Sequence, residues 1–154
     1  MLIKKLHGSI KIILLLGLSV NLSAQTNTID SLRRKINFKV KSLEQADLHL
    51  QLSDAFIGLS EDSAIYHAEI ALKISKALLD DEHIAESNFN LGIVHHNYDN
   101  SYLALHFFNG SLKHWKKQDP NVQTLNCMNS IGVVHRSLGD YVSATNYFLQ
   151  ALRL

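Results

Sequence analysis

From residue 43 onward, apolar residues return at the spacing of a helix face. Leu91, Val94 and Tyr98 share one stripe, and Leu103, Phe107, Phe108 and Leu112 share another. The breaks between stripes carry helix punctuation. Ser60 followed by Glu61 and Asp62 reads as a helix start, and so does Asp119-Pro120, with Asp as cap and Pro in the first turn. Gly139-Asp140 marks a tight turn. The chain has one proline and seven glycines in 154 residues, which leaves long segments free of breakers. The pattern predicts an all-α chain.

The stripes repeat. Residues 85–114 laid over 125–154 give Gly92/Gly132, Val94/Val134, His95/His135, Ala104/Ala144, Phe108/Phe148 and Leu112/Leu152 as identities. Conservative pairs fall between them: Leu91/Ile131, Ile93/Val133, Phe107/Tyr147 and Lys113/Arg153. A further shift of forty reaches Ala64, Ala68, Ala71 and Leu72. Each unit reads as two helices, A and B, with helix B starting near 62, 102 and 142. No such unit can bury its apolar face alone, so stacking must make the core. Gly92 and Gly132 on helix A, with Ala104 and Ala144 on helix B, would let the two helices approach closely. Phe108 and Phe148 would fill the gap between successive units.

The third unit carries Ile131-Gly132, His135, Gly139, Tyr141, Ala144, Phe148 and Ala151-Leu152. This resembles the tetratricopeptide repeat: a large apolar residue then Gly, a Tyr (here His135), Gly-x-Tyr, Ala, an aromatic, then Ala. The second unit keeps Leu91-Gly92, Ala104 and Phe108, but has Asp99 at the turn glycine and Ser111 at the final alanine. In the first unit Leu52-Ser53 and Phe56 fit helix A once the inner turn is one residue shorter. The resemblance implies helix-turn-helix repeats stacked as a short right-handed α-solenoid. It divides the chain into a lead-in helix over 25–42, a degenerate repeat over 43–80, a second repeat over 81–120 and a third over 121–154. The period exceeds the family's usual length, as in the periplasmic N-terminal regions of bacterial two-component sensor kinases and related regulators. Two functions follow from that resemblance. One is an interaction module; the other is the input region of a truncated signal transducer.

The N-terminus reads as an address. Lys4 and Lys5 precede a mostly apolar run from Ile12 to Val20, and Leu22-Ser23-Ala24 ends on a small residue. This is the layout of a secretory signal peptide over 1–24, with cleavage before Gln25 and a periplasmic or secreted product. The run is about half the length of a membrane-spanning helix, so a membrane association is expected only if the segment stays uncleaved.

Charge and chemistry narrow the picture further. With Lys4, Lys5 and Lys11 set aside the net charge drops from +1 to −2, which gives no electrostatic footprint for nucleic acid. The single cysteine, Cys127, excludes an internal disulfide and reads as a buried structural residue. No two histidines lie three or four residues apart, so no metal ligand pair is expected, and no cofactor. His95 and His135 are expected to pack between helices with hydrogen bonds. Asp80-Asp81-Glu82 reads as a solvated turn in a linker. No nucleophile elbow, phosphate loop or carboxylate pair suggests an enzyme. The resemblance instead implies a concave groove along the A helices that binds a protein or peptide. Its candidates are Glu86, Phe89, Asn90, Ile93, His96 and Asn97, and Asn126, Asn129, Ser130, Val133, Arg136 and Ser137. The last helix, with Tyr141, Ala144, Phe148, Ala151 and Leu152, is expected to offer an apolar face for self-association.

Overall fold

The computed structural model describes residues 24–37, 39–115 and 122–153. The leader segment up to Ser23, the Asp119-Pro120 start signal and Leu154 lie outside these. Residues 24–35 are helical (α1) and belong to a first compact unit that ends at Lys35. The lead-in helix expected over 25–42 therefore stops early. The second unit opens with a turn instead: Val40 N–H donates to the Asn37 carbonyl (3.1 Å), and the Asn37 side chain accepts from Lys39 N–H (3.1 Å). A side chain that captures nearby backbone in this way competes with helix.

Among the described residues, the second unit, Ile36–Leu154, holds six helices. They are α2 (Leu43–Phe56), α3 (Glu61–Leu78), α4 (Asp81–Asn97), α5 (Ser101–Trp115), α6 (Val122–Ser137) and α7 (Tyr141–Leu152). They pack as hairpins α2/α3, α4/α5 and α6/α7, and α3 against α4 and α5 against α6 join one hairpin to the next. This is a short α-solenoid. The B helices α3, α5 and α7 start forty residues apart.

Local chemistry fixes the helix ends. Ser60, Asp80 and Asp140 are N-caps whose side chains accept from the N–H three residues on, at 3.3, 2.9 and 3.0 Å. Three turns close with paired bonds back into the preceding helix: Asp80 to Ser75, Asn100 to His95 and Asp140 to His135, each enclosing a second bond that spans three residues. The residue in the left-handed position is Leu79, Asp99 and Gly139, respectively. Asp99 does in the second unit what Gly139 does in the third, at a steric cost that glycine avoids. Asp99→Gly is therefore expected to raise stability by a few tenths to about 1 kcal/mol, read from a denaturant midpoint.

Each hairpin contains one stacked ring pair between its helices. Phe56 stacks on His67 (9° between planes), His95 on Phe107 (6°) and His135 on Tyr147 (16°). These pairs set the register of the degenerate first unit. Its helix A aligns with the second at a shift of thirty-nine, not forty. The missing residue comes from the helix: α2 ends at Phe56 itself, and the connection 57–60 is one residue longer than 98–100.

The core runs through the stack. Phe108 is 1% exposed and lies in one cluster with Ala85, Trp115, Cys127, Met128, Ile131 and Val134. It thus belongs to its own hairpin and to the next. A Cβ on Gly92 would stand 2.5 Å from the Phe108 ring, and one on Gly132 would stand 2.6 Å from Phe148. The glycines are where helix A yields to an aromatic ring. Buried Cys127 donates its thiol to the Phe108 carbonyl (3.1 Å) and links α6 to α5.

The histidines are packed as expected, but their hydrogen bonding differs. His135 Nδ1 reaches Asp140 (3.2 Å), whereas His95 Nδ1 is buried with no hydrogen-bond partner among the described residues. Burial holds His95 below the ordinary imidazole value, opposed by Glu61 and Glu69 of α3. The unfolded chain therefore takes up the larger share of protons as pH falls through about 6.5, and folding stability falls with it. His95→Phe keeps a ring on Phe107 and removes the titration. The expected result is a smaller loss of denaturant midpoint between about pH 7.5 and 5.5 than in the parent, which cancels the contributions of the other histidines.

Candidate peptide-binding groove

The A helices α2 and α4 lie side by side, and the start of α6 follows them. Between them is a cavity of about 270 Å³. It is lined by Leu50 and Asp54 of α2, Glu86, Phe89, Asn90 and Ile93 of α4, Trp115 at the end of α5, and Gln123 and Asn126 of α6. Phe89 leans on Phe108 and on Trp115, with ring centroids 5.4 Å apart in both cases. The floor is therefore aromatic and rigid. Trp115 is held from behind by its Nε1–H, which donates to Glu82 (3.3 Å).

Of the twelve residues expected in the groove, five line this cavity: Glu86, Phe89, Asn90, Ile93 and Asn126. His96, Asn97, Asn129, Ser130, Val133, Arg136 and Ser137 lie further along α4 and α6, outside it. Several polar candidates spend their donors on their own helix. Asn97 donates to the Ile93 carbonyl (2.9 Å), Ser130 to Asn126 (2.9 Å) and Ser137 to Val134 (2.8 Å). Asn90 departs most from expectation. Its carbonyl oxygen accepts from Ser53 (2.6 Å) and its amide donates to Asp54 (2.5 Å). Buried and bonded at both ends, it ties α4 to α2 and has little capacity left for a peptide backbone.

Leu50, Asp54, Gln123 and Trp115 were not expected. Two of them were within reach of the sequence. The shift of thirty-nine that aligns Leu52-Ser53 and Phe56 with Leu91-Gly92 and His95 also carries Phe89 onto Leu50 and Ile93 onto Asp54.

The acidic run at the start of α4 also differs from a solvated turn. Asp80 caps the helix and accepts from the His83 backbone and from its Nδ1 (2.7 Å). Asp81 meets His114 Nδ1 (2.8 Å), and Glu82 holds Trp115. Helix N-termini favour such carboxylates. The His83 backbone N–H, followed by its ring, keeps Asp80 below the usual carboxylate range. Burial pushes Glu86 up; nearby His83 opposes this, while Glu82, Asp47 and Asp80 add to it. Among the described residues, the cavity lining holds Asp54 and Glu86 and no lysine or arginine. Burial pushes Asp54 up as well, opposed by its hydrogen bond with Asn90.

Residues 124–154, which cover most of α6 and all of α7, match the family model of the tetratricopeptide repeat. The third unit is a tetratricopeptide repeat. No curated protein matches the chain. The features of the matched repeat recur one unit earlier. Gly132 on Phe148 is Gly92 on Phe108, and His135 on Tyr147 is His95 on Phe107. Tetratricopeptide repeats generally serve protein–protein interaction, which supports a protein as the kind of partner. Among the described residues, no helix is long and apolar enough to cross a membrane.

Proposed function

We propose that the chain is an exported interaction module that receives an extended segment of a partner protein along its A helices. The observation that carries this reading is the cavity between α2, α4 and α6, with its aromatic floor and acidic rim. Phe89 and Ile93 would contact apolar side chains. Asp54 and Glu86 would receive a basic or amide side chain, and exposed Asn126 would bond the segment's backbone.

Peptides selected from a random displayed library against the whole chain provide the test. Ile93→Asp is expected to weaken selected peptides about tenfold or more, the usual cost of losing a central apolar anchor. Tyr102→Asp, on the opposite helix α5 where Tyr102 is 80% exposed, is expected to leave them unchanged. Peptides that survive the first change and are lost on the second would place binding on the outer surface and overturn the reading.

Export rests on Lys4, Lys5, the apolar run and Leu22-Ser23-Ala24. N-terminal sequencing of exported protein should return Gln25 first, whereas full-length chain in the membrane would refute cleavage. Self-association at the last helix is narrower than the sequence suggested. Ala144 and Ala151 are buried and Phe148 is half-buried, which leaves Tyr141, Val142, Leu149 and Leu152 exposed. These four form the surface that a second copy would use.

A further inference from the structure

Three potential metal ligands converge at the edge of the groove. Asp47 of α2 and His83 and Glu86 of α4 bring one ligand atom each to within 4.8 Å of one another. His83 and Glu86 are three residues apart and so share a helix face, a pairing that a search for histidine pairs alone overlooks. Asp47 is the first unit's counterpart of Glu86 under the shift of thirty-nine, so the cluster is assembled by the stacking of two units.

The geometry of His83 is specific. Its Nδ1 lies 2.7 Å from Asp80 Oδ1, and the same oxygen also accepts the His83 backbone N–H. Asp80 is an acceptor, so it fixes the ring proton on Nδ1. The Nε2 lone pair then faces Asp47 Oδ1 at 3.3 Å. Two acceptors at that separation need a positive species between them. Ligands about 2.0–2.1 Å from a tetrahedral zinc ion stand roughly 3.3 Å apart, which matches this spacing. A carboxylate that orients a histidine ligand through its far nitrogen is a recurrent part of such centres.

We propose that Asp47, His83 and Glu86 bind a divalent transition-metal ion of the zinc class, with Asp80 as the residue that positions His83. The ion bridges α2 and α4 and pins the first two units together. Three protein ligands leave a fourth position for water or a group from a partner. The imidazole ligand selects zinc over magnesium or calcium, which prefer all-oxygen sites. The site shares Glu86 with the groove but does not depend on peptide binding.

The test is calorimetric titration of the full chain with zinc at about pH 8, where an imidazole is largely neutral. One saturable site is expected, and none with magnesium or calcium. His83→Gln should abolish it. Asp47→Asn, a near-isosteric change on the other helix, should weaken it by tenfold or more. Asp80→Asn keeps an equally good helix cap, so it separates positioning from folding. It is expected to weaken zinc about 10- to 100-fold while the chain still melts cooperatively in the absence of zinc. His114→Gln should leave binding as it is. Two results would overturn the proposal. One is zinc binding that survives both His83→Gln and Asp47→Asn, which would assign it to other histidines. The other is no saturable site in the parent chain, which would make a proton the only occupant between His83 and Asp47.

Discussion

Replacing Phe108 by alanine is expected to cost about 3–5 kcal/mol, the range for a buried aromatic ring whose cavity cannot fully collapse. The ring is 1% exposed and reaches across two hairpins. On the α4 side it rests on Gly92 and against Phe89, and on the α6 side the Cys127 thiol bonds the Phe108 carbonyl. Collapse from one side would pull the other apart, so relaxation is limited. A domain of this kind has only about 5–15 kcal/mol to lose. Thermal and denaturant melts should show a large drop. Phe148→Ala removes the equivalent ring from the last hairpin, where it is half-buried, and should cost less. Equal losses at the two positions would contradict a core that runs through the stack.

Gly92→Ala is expected to destabilise by about 1–3 kcal/mol, although alanine is the better helix former by about 1 kcal/mol. The added methyl would meet Cδ1, Cε1 and Cγ of Phe108 at 2.5, 2.6 and 2.9 Å. That ring is enclosed on all sides, so overpacking outweighs propensity. Gly110 supplies the internal control. The nearest atoms to its Cβ would be those of the Asn88 side chain at 3.5 Å, an ordinary contact, so Gly110→Ala should stabilise by roughly 0.5–1 kcal/mol. Gly132→Ala should fall between them, since Phe148 has room to give. The double variant Gly92→Ala with Phe108→Leu should cost less than the sum of the two single changes, because both act on one contact. Denaturant midpoints of the set decide it, and Gly92→Ala behaving like Gly110→Ala would remove the close-approach argument.

The same pairs show what could be read in advance. Gly92/Gly132 and Phe108/Phe148 recur at a fixed spacing because each hairpin solves the same packing problem, and a repeated solution leaves a repeated signature. The first hairpin has Ser53 where the later ones have glycine and Ala68 where they have phenylalanine, so its signature is weak. Its one-residue offset, expected from Leu52-Ser53 and Phe56, puts the ring of Phe56 on His67. The groove was legible to the extent that position on helix A predicts direction. It was not legible where a side chain had a choice of partner. Asn90 is placed as a peptide contact by its position, yet it is consumed by Ser53 and Asp54 of the neighbouring helix.

By itself, the sequence determined the helical class, the repeat, the B-helix starts and the Ser60 cap. These depend on neighbours within a few turns, where residue type and spacing carry the physics. Tertiary structure decided everything that needs two units in contact. It placed Leu50 and Asp54 opposite Phe89 and Ile93, turned the Asp80 run from a solvated turn into a cap with histidine and tryptophan partners, and brought Asp47 to His83 and Glu86. Such meetings depend on the angle and distance at which one hairpin stacks on the next. Those are set by the sum of many packing contacts, which no single stretch of sequence displays.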